Sequence, residues 1–314
     1  MIPSATGVRL PWDDLPPHVR AAVADVLGAP VVRAETQPGG FSPGVAARVR
    51  TADGRRAFVK AVSAAHRPAA RFHRAEARLT AALPPGAPAP RLLGTYDDGT
   101  WVALILEEIA GRQPAIPWRP AELTRVLDAL TGLARTLTPA PAGAPRAADV
   151  LSAAYTGWRD LLDGEEPGLE GRLDPWVLDR LPELAELAAP IGRATAGDTL
   201  AHGDVRADNL LLTDDGGVVF VDWPHALRAA DWFDLLVMLP CVRAQGGPDP
   251  EEVFTGHVLG RAADPDAVTC ALAGVTGFFL RGALRPAPPG LPTLRPFQRA
   301  QGEAALAWLR GRLG

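Results

Sequence analysis

The chain has 314 residues, 47% of them hydrophobic, a mean hydropathy near zero and a formal net charge of −4. That balance describes a globular protein with material for a sizeable core. It argues against a nucleic-acid partner, which calls for a basic surface. No apolar run approaches the ~20 residues of a bilayer span, and the first residues lack the apolar core of a signal peptide. Cys241 and Cys270 are the only cysteines and form no CxxC spacing. A cytoplasmic protein with no membrane partner is expected.

In chain order, residues 16–27 read as a short amphipathic helix. Three strands follow, at 31–37, 45–51 and 56–62. Gly39, Gly40, Phe41 and Ser42 lie in a glycine-rich loop between the first two, and Asp53-Gly54 marks a hairpin between the second and third. Loops of this make-up let backbone N–H groups approach phosphates, although an ordinary wide hairpin turn reads the same way. Lys60 is the only lysine in the chain; every other basic residue is arginine. By strand alternation it shares a face with Phe58 and Val62, where an ammonium needs a partner or an anionic ligand.

Residues 68–83 read as a helix whose only acid is Glu76. Strands are expected at 90–96 and 101–107, joined by Asp97-Asp98-Gly99. Beyond Gly111 the pattern turns helical, with stretches at 120–137, 150–162, 175–191, 231–242, 250–259, 266–284 and 294–313. Asp231 is a plausible N-cap. The charge is uneven: residues 1–100 hold 13 Lys/Arg and 8 Asp/Glu, whereas residues 101–314 hold 19 and 28. A basic first part and an acidic second part suit an anionic ligand on one and a less anionic ligand on the other.

The most informative stretch is 202–222, HGDVRADNLLLTDDGGVVFVD. Two apolar, β-rich runs flank Asp215-Gly216, a hairpin signal. Pairing Thr213 with Val218 sets Asn209 opposite Asp222, with Cβ atoms roughly 4.5–5.5 Å apart. An amide oxygen and a carboxylate held that close suit Mg²⁺. Asp204 lies just upstream, free to take a proton, and such a set serves phosphoryl transfer. The bland alternative is a polar loop before a surface hairpin.

HGDxxxxN followed by a hairpin and an Asp resembles the catalytic core of the aminoglycoside phosphotransferases, relatives of the protein kinases. The resemblance implies an α+β, two-lobed, protein-kinase-like fold. An antiparallel N-lobe sheet with a helix would occupy residues 1–108, and a mainly helical C-lobe residues 109–314. It implies Asp204 as the catalytic carboxylate, Asn209 and Asp222 as metal ligands, Lys60 on the nucleotide phosphates, and Glu76 as the partner that holds Lys60. Glu107 and Ile109 match the hinge whose backbone meets the adenine. Arg206 stands where protein kinases carry a lysine aimed at the transferred phosphate; pairing with Asp208 is its other reading. Asp234 matches an acid that braces the catalytic loop.

Residues 223–233 contain no Ser, Thr or Tyr to accept an activating phosphate, which counts against a protein kinase. The expected reaction moves the γ-phosphate of ATP, with GTP left open, to a hydroxyl of a small-molecule acceptor in the presence of Mg²⁺. An aminoglycoside-like or other neutral-to-cationic acceptor is favoured. The alternatives are a sugar, amino alcohol or nucleoside-like metabolite as acceptor, and a catalytically silent nucleotide-binding protein.

Overall fold

The computed structural model describes residues 9–40, 43–164 and 168–314; Ser42, Glu165 and Glu166 lie outside them. The chain opens with α1 (Pro17–Leu27), started by a proline at its first position and ended by Gly28 at φ 76°. Val19, Val23 and Leu27 recur every four residues and form its buried stripe.

Strands β1 (Val31–Thr36), β2 (Val45–Thr51) and β3 (Arg56–Ser63) follow, then α2 (Arg67–Ala81), β4 (Leu92–Asp97) and β5 (Trp101–Glu107). They form an antiparallel sheet in the order β1-β2-β3-β5-β4, which puts β3 in the middle. Alternation sorts the side chains to two faces. Val45, Ala47, Val49, Val59, Ala61 and Ile105 pack under α1. Val62, Leu104 and Leu106 pack with Ala69 and Ala70 of α2, and Phe58 joins them. Lys60 belongs to this second face.

After α3 (Pro120–Thr136), the stretch at 150–162 is two helices, α4 (Ala147–Ala154) and α5 (Gly157–Leu162). A Cβ on Gly157 would lie 2.2 Å from the Gly277 carbonyl oxygen, so the chain meets that backbone only with glycine here. The stretch at 175–191 is likewise divided, into α6 (Pro175–Asp179), α7 (Leu181–Ala188) and α8 (Ile191–Ala194). Pro182 and Pro190 fall at helix starts, where a missing N–H costs nothing.

Then come β6 (Thr199–Ala201), β7 (Leu210–Leu212), β8 (Val218–Phe220) and β9 (Leu227–Ala229). The β6–β9 pair was not anticipated; three-residue strands carry too little pattern to be read. Helix α9 (Phe233–Ala244) starts two residues later than expected, and Asp231 does not cap it. Its first-turn acid is Asp234. In place of one helix at 250–259 there are α10 (Pro250–Gly256) and α11 (Val258–Arg261), divided where the His257 ring accepts the Leu259 N–H. The last two helices are α12 (Pro265–Leu284) and α13 (Leu294–Leu313).

Helix α12 corrects one expectation, for it is long and apolar enough by length and composition to cross a membrane. Most of that segment is buried inside the protein instead, and Leu272, Val275 and Leu280 belong to the one large core of the helical part.

Candidate active site

The β7–β8 hairpin departs from the expected register by one residue. Leu210 pairs with Phe220, Leu211 with Val219 and Leu212 with Val218. Just past the strand, the Thr213 N–H donates to the Gly217 carbonyl in the same register, and its hydroxyl bonds the Asp215 carboxylate. A five-residue loop therefore replaces the tight turn, with Gly216 at φ 93°. Arg125 of α3 clasps the loop through the carbonyls of Thr213 and Gly217. Asn209 consequently faces Val221, whose N–H donates to its carbonyl, and does not face Asp222.

Asp222 lies just past the strand at φ 71°, the sole described non-glycine residue with a positive φ. That conformation is costly for a side-chain-bearing residue and persists where the surroundings hold it. Here Lys60 Nζ holds it, 2.8 Å from Asp222 Oδ1 and 2.6 Å from Glu76 Oε1. Burial opposes the Lys60 charge, but Asp222 and Glu76 outweigh it and raise its pKa. Burial also works against the charge of Asp222, yet Lys60 holds that carboxyl well below the usual range. Glu76 is pushed up by burial, against Lys60 and the Trp223 backbone N–H. One ammonium thus joins β3, α2 and the segment after the hairpin.

The loop 202–209 is fixed from beneath. Asp234 accepts the backbone N–H groups of His202 and Gly203 at 2.7 and 2.8 Å. Burial raises its carboxyl to about 6, against those two bonds. Gly203 turns at φ 78°, and a Cβ there would lie 2.5 Å from the His225 carbonyl oxygen. His202 is fully buried, edge-on to Trp223. Its Nε2 bonds the Val221 carbonyl at 2.9 Å and its Nδ1 accepts the Asp204 N–H, the pattern of a neutral ring protonated at Nε2. Burial lowers its pKa to about 4.

Asp204 and Arg206 are locked together. Arg206 Nη1 lies 2.7 and 2.8 Å from the two Asp204 oxygens, and Nε and Nη2 grip Asp208 at 3.0 and 2.9 Å. The pairing with Asp208 is present, and the same guanidinium also bonds Asp204. Its carbon stands 5.4 Å from the centre of the Phe297 ring. Burial raises the pKa of Asp204 against the pull of Arg206. Asn209 donates its amide N–H groups to the Asp204 carbonyl at 2.8 Å and to Asp204 Oδ2 at 3.1 Å. Its nitrogen is thereby committed to the loop, which leaves the amide oxygen as the atom suited to a cation.

The donor chemistry fits Mg²⁺: an Asp222 carboxylate and an Asn209 amide oxygen are hard oxygen donors, suited to an ion that keeps few protein ligands.

The glycine loop is described at Gly39 and Gly40, at φ 94° and 77°. The Arg9 fork binds the Gly39 carbonyl, a residue that no motif signalled. At the expected hinge, Glu107 accepts from Arg91, and Glu108 takes the fork of Arg56 and a bond from Arg48. Past Ile109, Arg112 exchanges two backbone hydrogen bonds with Leu212, joining this segment to the β7–β8 hairpin. Tyr155 is a further residue that sequence reasoning missed. It stacks on Phe278 with ring centres 4.8 Å apart, and its hydroxyl is raised by burial and by the Asp204 charge. Trp158 is 1% exposed and donates to the Ala273 carbonyl in the core.

A family model described as "Phosphotransferase enzyme family" matches residues 37–268. No curated protein matches the sequence. Among solved structures, aminoglycoside phosphotransferase APH(4)-Ia, as a thermostable mutant with ADP and hygromycin B, is similar at TM-score 0.61 and 15% identity, over 94% of this chain and 99% of that one. Aminoglycoside phosphotransferase APH(3'')-Id from Streptomyces rimosus ATCC10970, with ADP and streptomycin, gives 0.51 and 22%, over 74% and 90%. A protein from Thermobifida fusca YX-ER1, provisionally named a fructosamine-3-kinase, gives 0.55 and 20%, over 92% and 98%. The likeness in each case is one of fold, the two-lobed kinase-like architecture with its five-stranded antiparallel sheet.

Proposed function

Because the chain belongs to the phosphotransferase enzyme family, and is therefore a phosphotransferase acting on hydroxyl groups, we propose that it moves the γ-phosphate of ATP to a neutral-to-cationic, hydroxylated small molecule. The observation that carries this reading is the convergence of Lys60, from the middle strand of the sheet, on Asp222, beyond the catalytic hairpin. It brings a phosphate-binding cation and a metal-binding acid to one point. The proposed division of labour runs at residue 108, with nucleotide bound before it and acceptor after it.

In this reading Asp204 takes the proton of the acceptor hydroxyl as that oxygen attacks the γ-phosphorus, and the bond from that phosphorus to the bridging oxygen breaks to release ADP. Arg206 and Asn209 fix the carboxylate, so that orientation is set before the acceptor arrives. Lys60 would hold the phosphate chain, and Glu107 and Ile109 would offer backbone groups to the base. Asn209 and Asp222 would hold Mg²⁺, which when bound neutralises phosphate charge.

The acceptor class rests on charge and on shape. Residues 101–314 carry 28 acids against 19 bases. Several of those acids are engaged elsewhere: Asp160 with Arg281, Glu251 with Arg312, and Asp249 as the cap of α10. Tyr155, stacked on Phe278 within the field of Asp204, adds an aromatic wall on which a sugar or aminocyclitol ring would rest. Hygromycin B and streptomycin, bound by two proteins of similar fold, are hydroxylated compounds of this kind. The provisional fructosamine-3-kinase among them favours the second reading, a sugar-derived metabolite as acceptor.

The test is a screen of aminoglycosides, other antibiotics and metabolites for stimulated ADP release, at low and high salt. The best acceptor is expected to be uncharged or positive, and a cationic one should weaken with salt. A carboxylate or phosphate ester as best acceptor would overturn the charge argument; ADP release unmoved by any acceptor would favour the silent protein.

A further inference from the structure

Arg206 and Phe297 meet from distant parts of the chain. Arg206 lies in the loop before β7, and Phe297 in the first turn of α13. The Arg206 guanidinium carbon stands over the Phe297 ring, 5.4 Å from its centre, within reach of a cation–π contact. Helix α13 lies beyond residue 268, where the family match ends. Phe297 is 2% exposed, yet it stands apart from the large core of the helical part. It packs with Cys241 of α9 in a small cluster flanked by Ala244 and Ala300. The ring is thus fixed against α9 on one side and meets a cation on the other.

The two acids hold that cation unequally. Asp208 takes two nitrogens, Nε at 3.0 Å and Nη2 at 2.9 Å, the fork grip of a bidentate pair. Asp204 meets one, Nη1, which lies 2.7 and 2.8 Å from its two oxygens. A guanidinium anchored on Asp208 by its fork still pivots about that pair, and the pivot moves Nη1 most. Nη1 is the atom that meets Asp204. Asn209 reaches Oδ2 of that carboxylate at 3.1 Å, which leaves its direction dependent on Arg206 as well. The Phe297 ring gives the guanidinium a third point of contact, and three points fix a plane where two leave a hinge.

We propose that Phe297 is a positioning residue for phosphoryl transfer: it holds the Arg206 guanidinium and, through it, the direction of the Asp204 carboxylate. The inference rests on the reading of Asp204 as the base for the acceptor hydroxyl, and Asp204→Asn is the control that separates the two. ATP turnover with Mg²⁺ would be measured on the full chain, with the best acceptor of the screen above or, where none stimulates, with water. Phe297→Leu and Phe297→Met remove the ring, and Met best keeps the apolar bulk. In both, kcat should fall roughly 3- to 30-fold, the scale of a largely desolvated cation–π contact. The KM for ATP should change less than about twofold, because the contact serves the carboxylate and not the nucleotide. Phe297→Tyr keeps the ring and should stay within about twofold of the wild-type kcat. Should Phe297→Leu not fold, Phe297→Met carries the comparison; Phe297→Trp does the same for Phe297→Tyr.

Full activity of Phe297→Met would make Phe297 a filler of space and overturn the inference. A normal kcat in folded Phe297→Leu, or a raised KM for ATP with kcat intact, would overturn it too. With Asp204→Asn still impaired, each of these results leaves the reading of Asp204 standing. Near-normal turnover in folded Asp204→Asn would overturn that reading, and the inference with it. A wild type without ATP turnover would overturn both together with the ATP reading.

Discussion

Lys60 Nζ lies 2.8 Å from Asp222 Oδ1, a contact between residues 162 positions apart. It joins the middle strand of the N-terminal sheet to a residue whose positive φ is otherwise unfavourable. The same nitrogen bonds Glu76, so a single cation settles the position of α2 relative to both.

Replacing it conservatively should therefore fail. Lys60→Arg is expected to weaken ATP binding by about 10-fold or more, because the wider planar fork does not fit between Glu76 and Asp222 under α2. Nucleotide affinity and turnover of the purified variant check this. Wild-type values for both would refute the argument from the lone lysine.

Asp204→Asn should retain the fold and nucleotide binding and lose at least ~10²-fold in kcat, the scale of general-base effects. The amide keeps the size of the carboxylate but gives up its charge to Arg206 and its capacity to take a proton. Near-normal turnover in a folded variant would remove Asp204 from the mechanism.

Asn209→Ala and Asp222→Ala should each raise the Mg²⁺ concentration needed for activity more than they lower the melting temperature. The one-residue shift of the hairpin removes the cross-strand ground for this expectation, which rests instead on the donor chemistry of the two side chains. A crystal structure with Mg²⁺ and nucleotide gives the direct view. Either side chain more than about 6 Å from every metal, well over twice a Mg–O bond, would sink the shared site.

Acid should destabilise the protein partly through His202. Unfolded, this ring takes up a proton near the usual 6.5; folded, it does so only at about 4. Between those values unfolding absorbs a proton, so stability is fully present above about 6.5 and is lost as the pH falls towards 4. The contribution is up to about 3 kcal/mol. Melting curves from pH 7.5 to 4 should fall more steeply for the wild type than for His202→Gln. Parallel curves would remove His202 from the acid response.

Much of the sheet was legible because its strands alternate and its turns carry Asp-Gly. The bounds of β2, β5 and α13 agree with those read from the residues. The hairpin register was not legible. It depends on Thr213 bonding Gly217 instead of Val218, with its hydroxyl on Asp215, which hydrophobic patterning does not encode. The divided helices hid for a related reason. The break before Gly157 answers to the Gly277 backbone, a neighbour far away in sequence. At the site, the HGD stretch, Lys60 and Glu76 stood out by residue type. Arg9 did not, being one arginine among many, and its contact with the Gly39 carbonyl depends on where a segment with no recognisable motif is laid.

Lys60 also makes the protein a natural reporter of its own opening. A lysine-specific endoprotease has a single bond to cut in this chain, after Lys60, and that bond lies inside the middle strand of a five-stranded sheet. Neighbouring strands cover it on both sides, so cleavage waits for the sheet to come apart. With enzyme in modest amount, the rate of appearance of two fragments measures the population of the opened state. Nucleotide should slow that rate in proportion to its occupancy of the folded form. The chain thus carries a built-in proteolytic assay for ligand binding that needs no label and no catalytic turnover.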